Sequence, residues 1–144
     1  MPDDDFLAAF EECVWPHDQW HHREHVKVAY LYLLRHGLRQ SSERLPTAIR
    51  AYNAAHPRPE SLTTGYHETL TQAWLRLVHA ALCQHGPAPS ADEFFDRHPE
   101  LWQWQIARLF YSAERLWSAE AKISFVEPDL APLPISPRGG YDWM

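Results

Sequence analysis

Residues 18–37 read DQWHHREHVKVAYLYLLRHG, and this stretch decides the fold class of the chain. Its apolar residues recur at the spacing of an α-helix rather than alternating as they would in a strand. The predicted buried stripe of this helix consists of Val26, Ala29, Tyr30 and Leu33. Asp18 is the predicted N-cap, and Gly37 is the predicted stop. The stretch therefore predicts an amphipathic helix with one face in a core.

The same helical pattern recurs along the chain, and no segment alternates convincingly enough to predict a strand. Further helices are predicted from Asp3 or Asp5 to a point before Pro16, over 41–55, from Thr64 to Gly86, over Ala91–Arg97, and from Glu100 to about Phe110. Ser90, Ser112 and Ser118 are the predicted caps of short helices or turns, and Glu93 completes a capping box with Ser90. We expect an all-α fold: one domain over residues 1–144, a compact bundle of four main helices with short helices and an extended C-terminal tail from about residue 126.

Composition and charge exclude several classes of protein. The formal net charge is −6, and no basic run occurs, which argues against a nucleic-acid binder. The acidic start, residues 1–5, does not resemble a signal peptide, and no apolar run approaches the roughly 18 residues of a membrane helix. Cys13 and Cys83 lack metal-binding spacing and are expected to be buried free thiols. The alternative is a disulfide between them. We therefore expect a cytoplasmic protein that binds neither membranes nor nucleic acid.

Three of the ten histidines are predicted to face the interior together. A helix turns 100° per residue, so the buried stripe of the helix in residues 18–37 is predicted to include His22. His25 is expected beside this stripe, and His21 is expected to face water. Residues 64–86 read TGYHETLTQAWLRLVHAALCQHG, and in this helix His67 lies near the stripe that begins at Leu70. Glu68 and His79 are expected on its opposite face. The other histidines are expected at the surface or in loops: His36, His56, His79, His85 and His98.

Inward histidines on two helices are suited to holding a divalent transition metal. His22, His25 and His67 would supply three imidazoles and leave positions open for water or substrate. Zn²⁺ is the first expectation, and Ni²⁺, Cu²⁺ or Fe²⁺ also suit imidazole. Such an ion lowers the pKa of a bound water and makes it a nucleophile.

Neighbouring polar residues have expected roles around such an ion. Thr71 and Tyr66 are expected to orient water or substrate. Glu68 is the candidate acid/base or outer carboxylate, and His17 is a possible extra ligand. No nucleophile elbow, glycine-rich phosphate loop or paired Glu-x-x-His di-iron pattern is present in the sequence.

Four motifs in order resemble those of a group of small uncharacterised bacterial helical proteins. They are Trp20-x-His22-x-x-His25-Val26, Tyr66-His67-Glu68-Thr69-x-Thr71, Phe110-Tyr111-Ser112 and Val126-Glu127-Pro128-Asp129-Leu130. The resemblance covers about residues 20–134 and implies no particular activity, although it marks the same three histidines. The site design also resembles, more loosely, that of DinB/YfiT-like bundles, in which three histidines bind a divalent metal; that likeness is one of site design alone.

These patterns predict a metal-dependent enzyme that acts on a small molecule, with His22, His25 and His67 as metal ligands and Tyr66, Glu68 and Thr71 as catalytic residues. The chemistry would be hydrolytic or, with a redox-active ion, oxygen chemistry. The alternative is a non-catalytic helical interaction module whose buried histidines are structural and which binds a partner through tryptophans or its proline-rich tail. A homo-oligomeric assembly is compatible with either function.

Overall fold

The computed structural model describes residues 1–134, which form six α-helices and three 3₁₀ turns. The α-helices are α1 (Asp3–Glu11), α2 (His22–Ala55), α3 (Glu68–His85), α4 (Ala91–Arg97), α5 (Ala113–Leu116) and α6 (Ala119–Ile123). The 3₁₀ turns are His17–Gln19, Pro99–Trp102 and Trp104–Leu109. No strand occurs within residues 1–134, so the predicted all-α class is confirmed. The predicted tail is not helical up to residue 134, and its remainder lies outside the described residues.

Within the described part of the chain, no helix combines the length and the apolar character needed to cross a membrane.

A break at Gly37 divides α2 into two halves. Gly37 has φ 76° and ψ 174°, a backbone conformation that L side chains rarely adopt and glycine adopts freely. The helix stop predicted at Gly37 is therefore present, but the next helix begins before Ser41, its predicted start. Helical structure resumes directly after Gly37, because glycine alone turns the chain and no connecting loop is needed. With the two halves counted separately, the bundle has the four predicted main helices.

Replacing Gly37 with alanine is expected to destabilise the fold by about 2 kcal/mol, because a Cβ is strained at this positive φ. Urea denaturation followed by circular dichroism measures this change. The control is Gln40→Ala, an exposed position just after the break in the same helix, which should change the free energy of unfolding by less than about 0.5 kcal/mol. Equal stability of the two variants would contradict the strained conformation.

Serine caps begin the short helices where the sequence predicts them. The hydroxyl oxygens of Ser90, Ser112 and Ser118 each accept the backbone N–H of the residue three positions later. The helix predicted from Glu100 to about Phe110 is wrong, because two 3₁₀ turns occupy this region. Gln103 between them has extended backbone angles, φ −101° and ψ 106°, which interrupt helical hydrogen bonding.

Histidines, rather than the predicted polar residues, cap the two long helices. α2 begins after His21 and not after Asp18, which lies in a 3₁₀ turn; the His21 N–H donates to Glu24 Oε1 at 2.8 Å. α3 begins after His67 and not at Thr64. At His67 the unprotonated Nδ1 accepts the Leu70 N–H much as a serine oxygen does. The first helix also differs from prediction, since Pro2 precedes it in place of an aspartate cap.

Aromatic side chains fill the core between α1 and the two halves of α2. Phe10 is fully buried, with its ring stacked on Trp20 and tilted against Tyr52 at centroid distances of 5.2 and 5.6 Å. α3 packs against α2, and the Gln72 amide donates to the Ser42 carbonyl at 2.9 Å. The two cysteines are free, as predicted, but only half-buried.

The start of the C-terminal tail is attached to the short helices. Asp129 accepts the N–H and the hydroxyl of Ser112 at 2.8 and 2.6 Å. The buried Tyr111 hydroxyl donates to the Val126 carbonyl at 2.7 Å. Arg115 donates to the Glu127 carbonyl. These bonds hold residues 126–129 against residues 111–115.

Candidate functional site

The predicted histidines meet at one cavity between the two halves of α2 and the start of α3. Its volume is about 240 Å³. Of the six predicted site residues, five line it: His22, His25, Tyr66, His67 and Thr71. The other lining residues are mainly apolar or aromatic: Ala29, Leu45, Ile49, Asn53, Gly65, Leu70, Trp74 and Trp104. The cavity therefore offers a few polar groups in apolar surroundings, which is typical of small-molecule sites.

The His22 imidazole has one nitrogen bonded and one available. Its Nε2 lies 3.2 Å from the Leu101 carbonyl oxygen, and since a carbonyl only accepts, Nε2 carries the hydrogen. The ring meets Trp74 edge-on at a centroid distance of 4.6 Å. Burial lowers the pKa of His22 to about 4. At neutral pH the ring is uncharged, and Nδ1 is its basic nitrogen.

His25 repeats this arrangement one turn later with the opposite ring nitrogen. Its Nδ1 lies 2.9 Å from the His21 carbonyl oxygen and must donate to it. The ring packs on Trp20 at a centroid distance of 4.2 Å. Burial lowers the pKa of His25, so this ring is also neutral at pH 7. Nε2 is then its basic nitrogen.

His67 differs from the other two because both of its ring nitrogens are used. Nδ1 accepts the Leu70 N–H at 3.0 Å, and Nε2 donates to the Leu116 carbonyl at 2.8 Å. Thr71 Oγ1 donates to the backbone carbonyl of His67 at 2.9 Å. The side chain is 7% exposed, and burial lowers its pKa. His67 thus links the start of α3 to the end of α5 and has no spare nitrogen in this arrangement.

Tyr66 and Glu68 form a bonded pair at the edge of the cavity. The Tyr66 hydroxyl donates to Glu68 Oε1 at 2.5 Å, and Gln72 Nε2 donates to Glu68 Oε2 at 3.1 Å. Arg50 Nη2 lies 3.8 Å from Glu68 Oε1, and its guanidinium covers the Tyr66 ring at 4.5 Å from the centroid. Burial and the neighbouring carboxylate raise the pKa of Tyr66, which keeps its proton. Glu68 does not line the cavity and reaches it through Tyr66.

The expectation that Glu68 and His79 lie on a solvent face of α3 is wrong. Glu68 is half-buried, and His79 is fully buried. α3 packs against α2 on one side and against α6 on another, and Thr69 Oγ1 donates to the Ser124 carbonyl at 3.0 Å. Most of its circumference is therefore covered, which a single apolar stripe does not predict.

No group of three or more His, Cys, Asp or Glu side chains within residues 1–134 is arranged to hold a metal ion. No protein-family model, no curated protein and no solved structure is a significant match to the chain. The resemblance to the bacterial group, and the looser one to DinB/YfiT-like bundles, stay predictions. The function is therefore argued from the geometry of the cavity.

Sequence reasoning missed the residues that close the cavity from the second half of α2 and from the turn Trp104–Leu109. Leu45, Ile49 and Asn53 recur every four residues, and this spacing is the signal that could have found them. Trp104 is 47% exposed, yet it lines the cavity from a 3₁₀ turn that no periodic pattern marks.

Proposed function

We propose that this protein is an enzyme that binds a small molecule in the cavity, with His22 and His25 as the protein's ligands to a divalent transition metal. Zn²⁺ is the first candidate, and Ni²⁺, Cu²⁺ or Fe²⁺ are alternatives. One observation carries the proposal: both imidazoles line the cavity with one nitrogen fixed on a backbone carbonyl and the other unprotonated. Histidine ligands commonly have this outer hydrogen bond, which sets the tautomer.

His22 and His25 fit the role of ligands, whereas His67 does not in its observed arrangement. The two α2 histidines are three positions apart and so lie on the same helix face. Their lowered pKa values favour the neutral form that binds metal. His67 would have to give up its bond to Leu70 or Leu116 before it could coordinate. The proposal therefore keeps two of the three predicted ligands and leaves the remaining positions to water or substrate.

The polar residues of α3 would then position the substrate. Tyr66 lines the cavity with its hydroxyl held by Glu68, so Tyr66 touches the substrate and Glu68 fixes its orientation. Thr71 also lines the cavity while its hydroxyl donates to the His67 carbonyl, which leaves its oxygen able to accept. A bound divalent ion would supply Lewis acidity for hydrolysis, or electron transfer for oxygen chemistry if the ion is redox-active.

The compartment belongs to the same proposal. Two free cysteines are compatible with a reducing environment, and we propose a cytoplasmic location on that basis. A net charge of −6 disfavours nucleic acid as a partner.

Metal analysis of the untagged protein tests the proposal. We expect about one transition-metal ion per chain after incubation with Zn²⁺, Ni²⁺, Cu²⁺ or Fe²⁺ and gel filtration. His22→Gln and His25→Gln should each weaken binding by more than the roughly 10–100-fold that loss of an outer partner causes. The control is His36→Gln, on the same helix but outside the cavity, which should bind as wild type does. A wild type that retains none of these metals would contradict the proposal.

The second candidate is a non-catalytic helical module with structural histidines. The two backbone bonds of His67 favour it, because they use the side chain to connect α3 with α5. On this view the protein binds no metal, and His22→Gln changes stability alone. The metal measurement therefore separates the two candidates.

A further inference from the structure

A second cavity adjoins the first and shares part of its wall. His25, Asn53, Gly65 and Tyr66 line both cavities. The second is wider, at about 970 Å³, and lies between the end of α2 and the segment that leads to α3. Its own lining includes two arginines and two further histidines: Arg50, Arg58, His17 and His56. We call the first cavity the inner cavity and the second the outer cavity. A ligand that extends from the inner cavity past Tyr66 would pass from mainly apolar walls to basic side chains.

We infer that the substrate is an amphiphilic anion, with a ring system in the inner cavity and a carboxylate or phosphate in the outer cavity beside Arg58 and His17. This inference rests on the proposed function in one respect, that the substrate occupies the inner cavity.

The inner cavity limits the apolar part to about two fused rings. An apolar cavity of roughly 150 Å³ accommodates benzene, and this one is larger at about 240 Å³. Trp74 and Trp104 supply flat aromatic walls, and Leu45, Ile49 and Leu70 supply aliphatic ones. Aromatic walls favour offset or edge-on contacts with a planar ligand.

Among residues 1–134, the outer cavity contains one arginine without an ion-pair partner. Arg58 is exposed and forms no ion pair with any residue in 1–134. Arg50 is partly neutralised by Glu68 at 3.8 Å. The carboxylate on the wall is Glu60, whose Oε1 accepts the Tyr66 N–H at 3.4 Å. Arg58 therefore stays available to an anionic group.

His17 adds an unsatisfied polar atom at the same place. Its Nδ1 is buried and has no hydrogen-bond partner within the described residues, an unusual cost for a folded protein. The ring lies 5.4 Å from the His56 ring and is stacked near Tyr52 at 5.9 Å. Burial, then Arg58 and His56, lower the pKa of His17, against a smaller opposite effect of Asp18. An anion beside Arg58 and His17 would offset the positive charge of Arg58, and it would accept a hydrogen bond from His17 Nδ1 in the neutral tautomer that carries its hydrogen there.

Calorimetric titration of the full chain with matched ligands tests the inference. The probes are 1-naphthylacetate, 1-naphthyl phosphate, the neutral 2-(1-naphthyl)ethanol, and acetate alone. We expect one of the naphthyl anions to bind at least about tenfold more tightly than the alcohol, the effect of one partly exposed charge-assisted hydrogen bond. The better of the two identifies carboxylate or phosphate as the anionic group. Acetate should bind too weakly to detect, because it lacks the ring.

Variants connect the preference to the outer cavity. Arg58→Gln should reduce the anion-to-alcohol ratio by about tenfold while leaving alcohol binding unchanged. The control, Arg39→Gln, removes the same charge from an exposed position of α2 outside both cavities and should leave the ratio unchanged. Equal affinity for anions and alcohol, an unchanged ratio in Arg58→Gln, or no binding of any naphthyl probe would each overturn the inference.

The titrations are run with EDTA and again after metal loading. A failure of the proposed metal site can then be distinguished from a failure of the inference about the substrate. An anion preference in EDTA supports the inference even if the protein retains no metal. Stoichiometric metal without any naphthyl binding supports the metal site and overturns the inference.

Discussion

His67→Ala is expected to destabilise the fold by about 3 kcal/mol, because several losses coincide at one buried side chain. The Leu70 N–H loses the acceptor that caps α3, and the Leu116 carbonyl loses its donor. The ring is 7% exposed and packs edge-on against Trp117 at 5.6 Å, so its removal also leaves a cavity. Urea denaturation of metal-free protein at pH 7.5 measures the change in the free energy of unfolding.

His67→Asn separates the cap from the longer contact. Asparagine is a good N-cap and can accept the Leu70 N–H, but it is too short to replace the bond to Leu116. This variant should recover about 1 kcal/mol of the loss. Equal stability of the alanine and asparagine variants would contradict the capping role of the imidazole.

The same asparagine variant tests the revised ligand set. If His22 and His25 are the protein's ligands, His67→Asn should bind metal within about threefold of wild type, well below the roughly 10–100-fold cost of losing an outer partner. A larger loss would restore His67 as a ligand and would mean that its ring leaves Leu70 or Leu116 when metal binds.

The helical period correctly predicted that His22 and His25 face one cavity, because facing along a helix depends on local spacing. His67 lines the same cavity, but it precedes α3 with extended backbone angles, so the helical period does not account for its direction. The sequence could not predict which ring nitrogens stay available. That depends on the carbonyls of Leu101 and Leu116, which lie 79 and 49 residues away in the chain from their partners. For His22 and His67, the ring nitrogens that stay available therefore depend on contacts distant in sequence, whereas His25 is fixed by the nearby His21 carbonyl.

The positions of the helix ends were also only partly predictable from the sequence. Ser90, Ser112 and Ser118 cap where the sequence predicts, because a serine followed by a short helix is decided locally. His21 and His67 displaced Asp18 and Thr64 as caps of the long helices. Both histidines have the extended backbone angles of an N-cap, and their cap contacts are local: Glu24 accepts the His21 N–H, and His67 Nδ1 accepts the Leu70 N–H. His67 is also held by the Leu116 carbonyl, which is distant in sequence.

Acid is expected to destabilise the metal-free protein between pH 6.5 and pH 4, before most carboxylates titrate. The pKa of His22 falls from 6.5 in the unfolded chain to about 4 in the fold, because burial disfavours the charged ring. Below pH 6.5 the unfolded chain therefore binds more protons than the fold does, and stability decreases as the pH falls. The loss begins near pH 6.5 and levels off near pH 4, with an upper limit of about 3 kcal/mol for this residue.

Urea midpoints at pH 7.5, 6.5, 5.5 and 4.5 in EDTA measure this loss. Burial also lowers the pKa values of His25 and His67, so they add to it in the same direction. Asp129 acts in a separate window, because its bonds to Ser112 lower its pKa from 3.8 and it loses its contribution only below that pH. His22→Gln should flatten the profile, since glutamine can still donate to the Leu101 carbonyl but does not titrate. A wild type that gains stability from pH 6.5 to 4.5 would contradict the lowered pKa values of these buried rings.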